Sequence, residues 1–350
     1  MTKSDDLDTW LRGLAQDPEV FPHQLDAVNR RLLLVRLAAA QMREAAFLDQ
    51  RVLGGSEVGA WLPLASALDA GPPNTGPAGI ILHCGHCGST LVSRLLGELP
   101  GAWILREPLA LQTLAAEARA AGTPDARLTA EEFQRSLVLL QAAYAKLPPG
   151  ATRAIVKHTS LTANLGVELL RNAAPPAVLC LWIPLDDYLA AMLRDPGLRE
   201  GLRLAAAEWI RDIAAAVDGD CPPLATLADG ELAALNWTAA QLAFARLRAE
   251  SGARVLGWRF DDFLAEPLAR LGELARHFGL DADKQALQTA LASPWLGRYA
   301  KDPRYPLDAV TRRRELDAAA KQYAAEIRRG RDFANALWPR LPLNGTPESL

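Results

Sequence analysis

The sequence has 350 residues, of which half are hydrophobic and 23% are charged, with a formal net charge of −3. A chain of this length can bury one or two sizeable cores. It has no basic excess of the kind that binds nucleic acid or an anionic membrane surface. The polar start, MTKSDDLDTW, lacks the apolar segment of a secretory signal, and no apolar run is long enough to span a bilayer. Four cysteines do not make a disulfide scaffold, so we expect a cytoplasmic protein.

The first part of the chain differs from the rest in its pattern of apolar residues. Apolar residues between 25 and 53 recur at roughly helical spacing and predict a helix that ends at Gly54-Gly55. A Pro- and Gly-rich stretch, 71–79, is typical of a linker or an entry loop. We therefore expect residues 1–75 to form an N-terminal helical extension and residues 76–345 to form an α/β domain.

Short apolar runs alternate with longer amphipathic segments after the linker. The predicted strands are 79–83, 103–105, 154–157, 177–183 and 254–260. The predicted helices are 90–99, 110–121, 130–145, 161–172, 185–194, 232–251 and 267–278. This alternation predicts a parallel sheet that is covered by helices on both faces.

A glycine-rich loop, residues 83–93 (HCGHCGSTLVS), lies between the first of these strands and the first helix. Its glycines allow a tight turn that directs several backbone N–H groups inward. The helix that begins near Thr90 adds the positive end of its dipole, and Ser89 and Thr90 add hydroxyl donors. The pattern therefore predicts an anion-binding site. The alternative is a tight turn that binds no ligand.

The loop differs from the nucleoside-triphosphate motif G-x-x-x-x-G-K-[ST]. When the two are aligned on Gly88, Ser89 occupies the lysine position and His83 the first glycine position. The missing lysine disfavours a kinase or ATPase. A phosphotransferase that uses another nucleotide remains an alternative.

The same loop resembles that of the bacterial and Golgi-type sulfotransferases, which use PAPS (3′-phosphoadenosine 5′-phosphosulfate) as co-substrate. Their [RK]-S-G-[ST]-T-L-L motif is similar to HCGSTL at 86–91, with His86 at the basic position. Further segments resemble the family in the same order, namely LREP at 105–108, IVK at 155–157, 177–193, GWRFDDFLAEP at 257–267 and YAK at 299–301. The resemblance covers roughly residues 78–320 and implies a P-loop sulfotransferase-like parallel sheet flanked by helices.

The resemblance also implies roles for individual residues. Glu107 would be the general base that takes a proton from an acceptor hydroxyl or amine, and Lys157 would stabilise charge on the transferred group. The alternative without catalytic roles is that Glu107 is a surface carboxylate paired with Arg106 and that Lys157 is a strand-end lysine that reaches solvent. PAPS would be bound by His86, Cys87, Gly88, Ser89, Thr90, Ser93, Arg194 and Lys301. No metal is required, the acceptor is expected to be a small molecule or peptide, and the N-terminal region could bind it or support a homodimer.

The segment 181–191 departs from the family pattern. The family's 3′-phosphate site has an Arg at the strand end and a Ser about eight residues later, where this chain has Trp182 or Ile183 and Ala190 or Ala191. A nearby arginine could substitute, the donor could lack a 3′-phosphate, or the chain could be a non-catalytic binding or partner protein. The candidate arginines are Arg194, Arg199 and Arg203.

Two further motifs leave alternatives open. Cys84 and Cys87 form a C-x-x-C at a helix start, a pattern shared by redox and zinc sites. The other Cys and His residues are distant in sequence, so we favour packing roles for both cysteines, with redox or metal chemistry as the alternative. The basic run 312–314 is either a solvated helix face or a contact to nucleotide phosphate.

Overall fold

The computed structural model describes residues 3–71, 76–171, 174–217, 220–297 and 308–343. Within these ranges the strands are β1 Val20–Asp26, β2 Arg31–Arg36, β3 Gly59–Pro63, β4 Gly79–His83, β5 Ala102–Arg106, β6 Arg153–Lys157, β7 Ala177–Trp182 and β8 Val255–Arg259. The α-helices are α1 Lys3–Gln16, α2 Ala39–Glu44, α3 Leu64–Asp69, α4 Ser89–Gly97, α5 Ala110–Ala120, α6 Ala130–Tyr144, α7 Gly166–Leu170, α8 Leu185–Leu193, α9 Pro196–Ala214, α10 Asp229–Ser251, α11 Phe260–Ala265, α12 Pro267–His277, α13 Lys284–Ala292, α14 Ala309–Gln322 and α15 Ala324–Leu337.

A five-stranded parallel sheet forms the centre of the fold, with the order β5-β6-β4-β7-β8. Strands β4 and β5 are buried along their whole length, as expected where helices cover both faces of a sheet. The predicted α/β architecture is thereby confirmed. The chain runs from β4 outward to β5, returns through β6 and then passes to β7 on the other side of β4. Ligands bind beyond the carboxyl ends of the strands at such a reversal.

The predicted helix over 25–53 is wrong. This region contains β1 and β2, which pair as an antiparallel hairpin, and β3 adds to β2. Asp26 closes the turn by accepting the Asn29 N–H at 2.9 Å, and Leu32 and Leu34 alternate inward with the period of a strand. The N-terminal region is therefore a helix followed by a three-stranded sheet with two short helices, instead of a purely helical extension.

The N-terminal region packs directly on α5 and α6. The Tyr144 hydroxyl donates to the carbonyl of Pro22 at 2.8 Å, and Thr113 donates to the carbonyl of Leu25 at 2.9 Å. Buried side chains of this region belong to the same hydrophobic core as those of the parallel sheet. The boundary between residues 75 and 76 stays a prediction, because residues 72–75 lie outside the described ranges.

Ion pairs hold α14 and α15 against α8. Arg313 pairs with Asp187, and Arg331 pairs with Asp186. These contacts place the start of α14 over the carboxyl ends of the sheet, beside the cavity described below. None of the helices in the described ranges combines the length and the apolar character needed to cross a membrane.

Candidate functional site

A cavity of about 550 Å³ opens beyond the carboxyl ends of the central strands. Its volume is within the range of small-molecule sites. The glycine-rich loop, the residues that follow β5 and β7, helices α11 and α14, and part of the N-terminal region contribute to its lining. The predicted site residues that line it are His86, Gly88, Ser89, Thr90, Glu107 and Arg194.

The glycine-rich loop has the backbone geometry of an anion cradle. Gly85, His86 and Gly88 all have left-handed φ values, of 88°, 50° and 78°. Such turns expose consecutive N–H groups on one side, and Gly88 is the N-cap of α4. Two features exclude a side chain at Gly88. Its left-handed φ disfavours any residue with a Cβ, and a Cβ there would lie 2.1 Å from the Phe260 ring. The predicted anion site therefore has a backbone that requires these glycines.

The Thr90 hydroxyl is a buried polar group at the start of α4. Its Oγ1 atom is buried and has no hydrogen-bond partner among the described residues, although the residue lines the cavity. Leaving a buried hydroxyl unpaired costs free energy, so such an atom requires an explanation. An oxygen of a bound anion, placed at the N-terminus of α4, would supply the missing partner.

Three side chains of the loop face the core instead of the cavity. The Cys87 thiol donates to the Leu181 carbonyl at 3.3 Å, and the Cys84 thiol donates to the Gly85 carbonyl at 3.5 Å. Ser93 donates to the Thr90 carbonyl at 2.9 Å. Both the Cys87 thiol and the Ser93 hydroxyl are buried and already hydrogen-bonded, so the predicted binding of the co-substrate by these two residues would have to come from their backbone N–H groups.

The buried thiols also bear on the redox and metal alternative. Burial raises the pKa of the Cys84 thiol well above its ordinary value, which disfavours its thiolate. Burial also acts to raise the pKa of Cys87, but the hydrogen bond from Cys84 and the Lys157 charge outweigh it and lower that pKa, while the Cys87 thiol is buried and bonded to the Leu181 carbonyl. In the described ranges, no three His, Cys, Asp or Glu side chains are grouped so that they could hold a metal ion. The geometry of Cys84 and Cys87 thus agrees best with packing roles.

Glu107 and Lys157 are brought together at the ends of β5 and β6. The carboxylate and the ammonium form an ion pair, and the Glu107 N–H donates to the Lys157 carbonyl at 2.6 Å. The Lys157 side chain is fully buried, while Glu107 lines the cavity. The alternative of a lysine that reaches solvent is therefore wrong. Glu107 also has a left-handed φ of 56°, a strain that concentrates at functional sites when it occurs outside glycine.

Arg106 has a different role from the surface partner of Glu107 that the sequence allowed. It is buried, and it donates to the Ser93 hydroxyl at 3.2 Å and to the carbonyls of Arg43 and Ala45. Burial lowers its pKa to about 9. Arg106 thus joins β5, α4 and the end of α2, where carbonyls lack partners within the helix. In the sequence, this structural role of Arg106 could be inferred from nothing except its position beside Glu107.

His83 completes the polar group around Lys157, and the sequence assigned it no role. Its Nδ1 accepts the Gly85 N–H at 3.0 Å, so Nε2 carries the proton and donates to the His158 carbonyl at 2.9 Å. This neutral imidazole lies 3.2 Å from Lys157 Nζ and 3.9 Å from Glu107 Oε1. One side chain therefore contacts both the glycine-rich loop and the ion pair.

Two arginines line the opposite part of the cavity. Arg194 pairs with Glu315 at 2.5 Å, and Arg312 pairs with Asp261 at 3.0 Å. The Arg312 guanidinium also lies 5.2 Å from the centroid of the Phe260 ring.

The remaining candidate arginines lie elsewhere. Arg203 pairs with Asp229, and Arg199 lies beside the Tyr323 ring, so neither lines the cavity. Lys301, predicted to bind the nucleotide, lies outside the described residues.

No family profile and no curated protein sequence matches the chain. Among solved structures, it is similar to a sulfotransferase domain from the curacin biosynthetic pathway, with 14% identity over 72% of this chain and 98% of that chain and a TM-score of 0.40. A sulfotransferase from Alicyclobacillus acidocaldarius matches with 14% identity, 76% and 100% coverage and a TM-score of 0.34. Retinol dehydratase, in a complex with retinol and PAP, matches with 11% identity, 78% and 84% coverage and a TM-score of 0.35. At these identities and TM-scores the matches do not decide a function, which has to come from the residues of the site.

Proposed function

We propose that the protein is a sulfotransferase that moves the sulfuryl group of PAPS to a hydroxyl or amine of a small-molecule or peptide acceptor. The observation that carries this proposal is the unpartnered Thr90 hydroxyl, at the start of α4, in the same cavity as Glu107. An anion bound at the start of α4 would give this hydroxyl a partner, and the carboxylate is suited to accept a proton beside it.

The glycine-rich loop would hold the phosphosulfate group of PAPS. The donors available there are backbone N–H groups, the N-terminus of α4 and the hydroxyls of Ser89 and Thr90. These uncharged donors suit the anionic oxygens of a phosphosulfate. His86, at the basic position of the loop, lines the same cavity. No lysine is needed at the Ser89 position, where the nucleoside-triphosphate motif has one.

The 3′-phosphate would be bound by Arg194 and Arg312. Both line the cavity, and both are paired with carboxylates. A phosphate would exchange these pairs for charge-assisted hydrogen bonds of at least similar strength. We propose this pair as the substitute for the Arg and Ser that are absent from 181–191.

Transfer would proceed by in-line displacement. The acceptor oxygen or nitrogen forms a bond to sulfur, its proton passes to Glu107, and the bond between sulfur and the bridging oxygen breaks to release 3′-phosphoadenosine 5′-phosphate (PAP). Positioning and charge stabilisation supply most of the rate in such reactions. When Glu107 takes the proton, the buried Lys157 ammonium loses its partner and becomes free to stabilise the charge that develops on the leaving oxygen.

A non-catalytic binding protein is the second candidate. The carboxylate partners of Arg194 and Arg312 favour it, because they neutralise the charges that a 3′-phosphate requires. Calorimetric titration with PAP, ADP and AMP, together with an assay of PAP release from PAPS, separates the candidates: preferential PAP binding with turnover supports the sulfotransferase, PAP binding without turnover supports the binding protein, and absence of PAP binding contradicts the sulfotransferase. The cytoplasmic location and the homodimer remain proposals.

A further inference from the structure

The order of the strands divides the cavity into two sides. Glu107 follows β5 and Lys157 is the last residue of β6, while Arg194, Phe260 and Arg312 belong to elements that come after β7 and β8. The glycine-rich loop follows β4, which lies between the two sides. A donor whose anion rests on this loop and whose nucleotide extends toward Arg312 leaves the β5 side for the acceptor.

Part of the N-terminal region reaches this acceptor side. The Leu48 N–H donates to the carbonyl of Arg106 at 2.7 Å, which fixes the chain immediately beside Glu107. Phe47 and Arg51 then line the cavity together with Glu107. These residues precede the segment that resembles the sulfotransferases, so their contribution comes from this chain's own N-terminal region.

Arg51 contacts a carboxylate and an aromatic ring of its own segment, although its side chain is 60% exposed. Its Nε donates to Asp49 Oδ1 at 2.9 Å, and its Nη2 donates to Asp49 Oδ2 at 2.5 Å. The guanidinium carbon lies 3.5 Å from the centroid of the Phe47 ring. The Nη1 atom makes no hydrogen bond to the described residues. A guanidinium that lies against a ring and is paired through two of its nitrogens keeps its third nitrogen available to an anion in the cavity.

We propose that the acceptor carries a carboxylate and an apolar body, an inference that rests on the proposed function. Arg51 binds the carboxylate, Phe47 contacts the apolar body, and the acceptor hydroxyl or amine lies at Glu107. Glu107 is already balanced by Lys157, and Asp49 shares the Arg51 guanidinium through Nε and Nη2, so the acceptor carboxylate would bind to the remaining nitrogen, Nη1.

The experiment compares an acid with its neutral isostere. Calorimetry measures binding of 3-phenyllactate and 3-phenyllactamide to protein saturated with PAP, and release of PAP from PAPS measures transfer to each. We expect the acid to bind at least about tenfold more tightly than the amide. Arg51→Gln removes this preference, and Arg51→Lys retains part of it.

Arg31→Gln is the matched control. Arg31 also pairs with a nearby aspartate, Asp26, and lies 4.3 Å from an aromatic ring, that of Trp61, but it does not line the cavity. We expect it to leave the preference unchanged. Equal or undetectable binding of acid and amide to the PAP complex overturns the inference and leaves the proposed function standing. Failure of PAP itself to bind overturns both.

Discussion

Glu107 and Lys157 form an ion pair across the ends of two neighbouring parallel strands, with the lysine fully buried and the carboxylate facing the cavity. The parallel register places Arg106 opposite Lys157, so Glu107 is the first residue beyond the paired segment. Two residues that are fifty positions apart in the chain are thereby joined at one point. The pair therefore affects both folding stability and the proposed transfer, because Glu107, which would take the proton, also balances the buried charge of Lys157.

Replacing Glu107 tests both consequences. We expect Glu107→Ala to abolish transfer from PAPS while PAP still binds. We also expect the free energy of unfolding to fall by about 3 kcal/mol, because the buried Lys157 ammonium loses its partner. Chemical denaturation and PAP-release assays measure the two effects. In the control, Glu107→Ala/Lys157→Met, stability should recover and transfer should not; a Glu107→Ala protein that still transfers at the original rate contradicts the role of Glu107.

The Thr90 hydroxyl is expected to bind ligand and to contribute nothing to the free protein. Thr90→Val keeps the shape of the side chain and should weaken PAP binding about tenfold, with no loss of stability, since the hydroxyl has no partner to lose. Calorimetry and thermal unfolding provide the measurements.

Thr238→Val is the matched control for this prediction. Thr238 Oγ1 is equally buried and unpartnered within the described chain, but the residue lies in α10 and does not line the cavity. It should change neither binding nor stability appreciably. Equal PAP affinity in Thr90→Val and the unmodified protein would remove the main support for the anion site.

We expect that Gly88 cannot be replaced, because of its left-handed backbone and because of its close contact with the Phe260 ring. Gly122 has only the left-handed backbone, so it separates the two effects. Gly88→Ala adds backbone strain and a contact with the Phe260 ring, so it should destabilise the fold and abolish PAP binding. Gly122→Ala introduces the same strain, at a φ of 77°, where no atom lies within 4 Å of the new Cβ. It should cost about 1 kcal/mol and leave binding intact. Equal destabilisation of the two variants in denaturant titrations would show that the Phe260 contact is unimportant.

His158 should make the fold sensitive to acid. Burial, with the nearby Lys157 charge, lowers its pKa to about 3, whereas the unfolded chain titrates near the ordinary value of 6.5. As pH falls from about 6.5 toward 3, the unfolded state binds a proton that the folded state cannot, so stability decreases. The loss should reach a few kcal/mol, measured as the free energy of unfolding against pH. His158→Gln should flatten this slope, and an unchanged slope would show that other groups cause it.

Much of the fold could be predicted because its strands are short, buried and continuously apolar. The strand at 79–83, the glycine-rich loop after it and the helix that follows are where the sequence places them. Their signals are local, since glycines and hydroxyl residues between a strand and a helix have few other uses. The hairpin of β1 and β2 was missed because a run such as RRLLLVR fits a helical and an alternating pattern equally well.

The remaining parts of the site depend on tertiary structure. Arg51 and Phe47 lie far from the motif in sequence, and they reach the cavity only because Leu48 pairs with the end of β5. The sequence left the basic run 312–314 as either a solvated helix face or a contact to nucleotide phosphate, and only the packing of α14 on α8 places Arg312 in the cavity lining beside Phe260. The Lys157 environment likewise follows from the strand register. Such contacts leave no periodic trace in the sequence.

Titration of the protein with PAP by calorimetry, with ADP and AMP measured alongside in the presence and absence of Mg²⁺, tests the central claim most directly. The account predicts that PAP binds with micromolar affinity, at least about tenfold more tightly than ADP, and without a need for Mg²⁺. Thr90→Val should weaken this binding, while Thr238→Val should not. Absence of PAP binding, or Mg²⁺-dependent binding of ADP in preference to PAP, would contradict the assignment as a PAPS-dependent sulfotransferase.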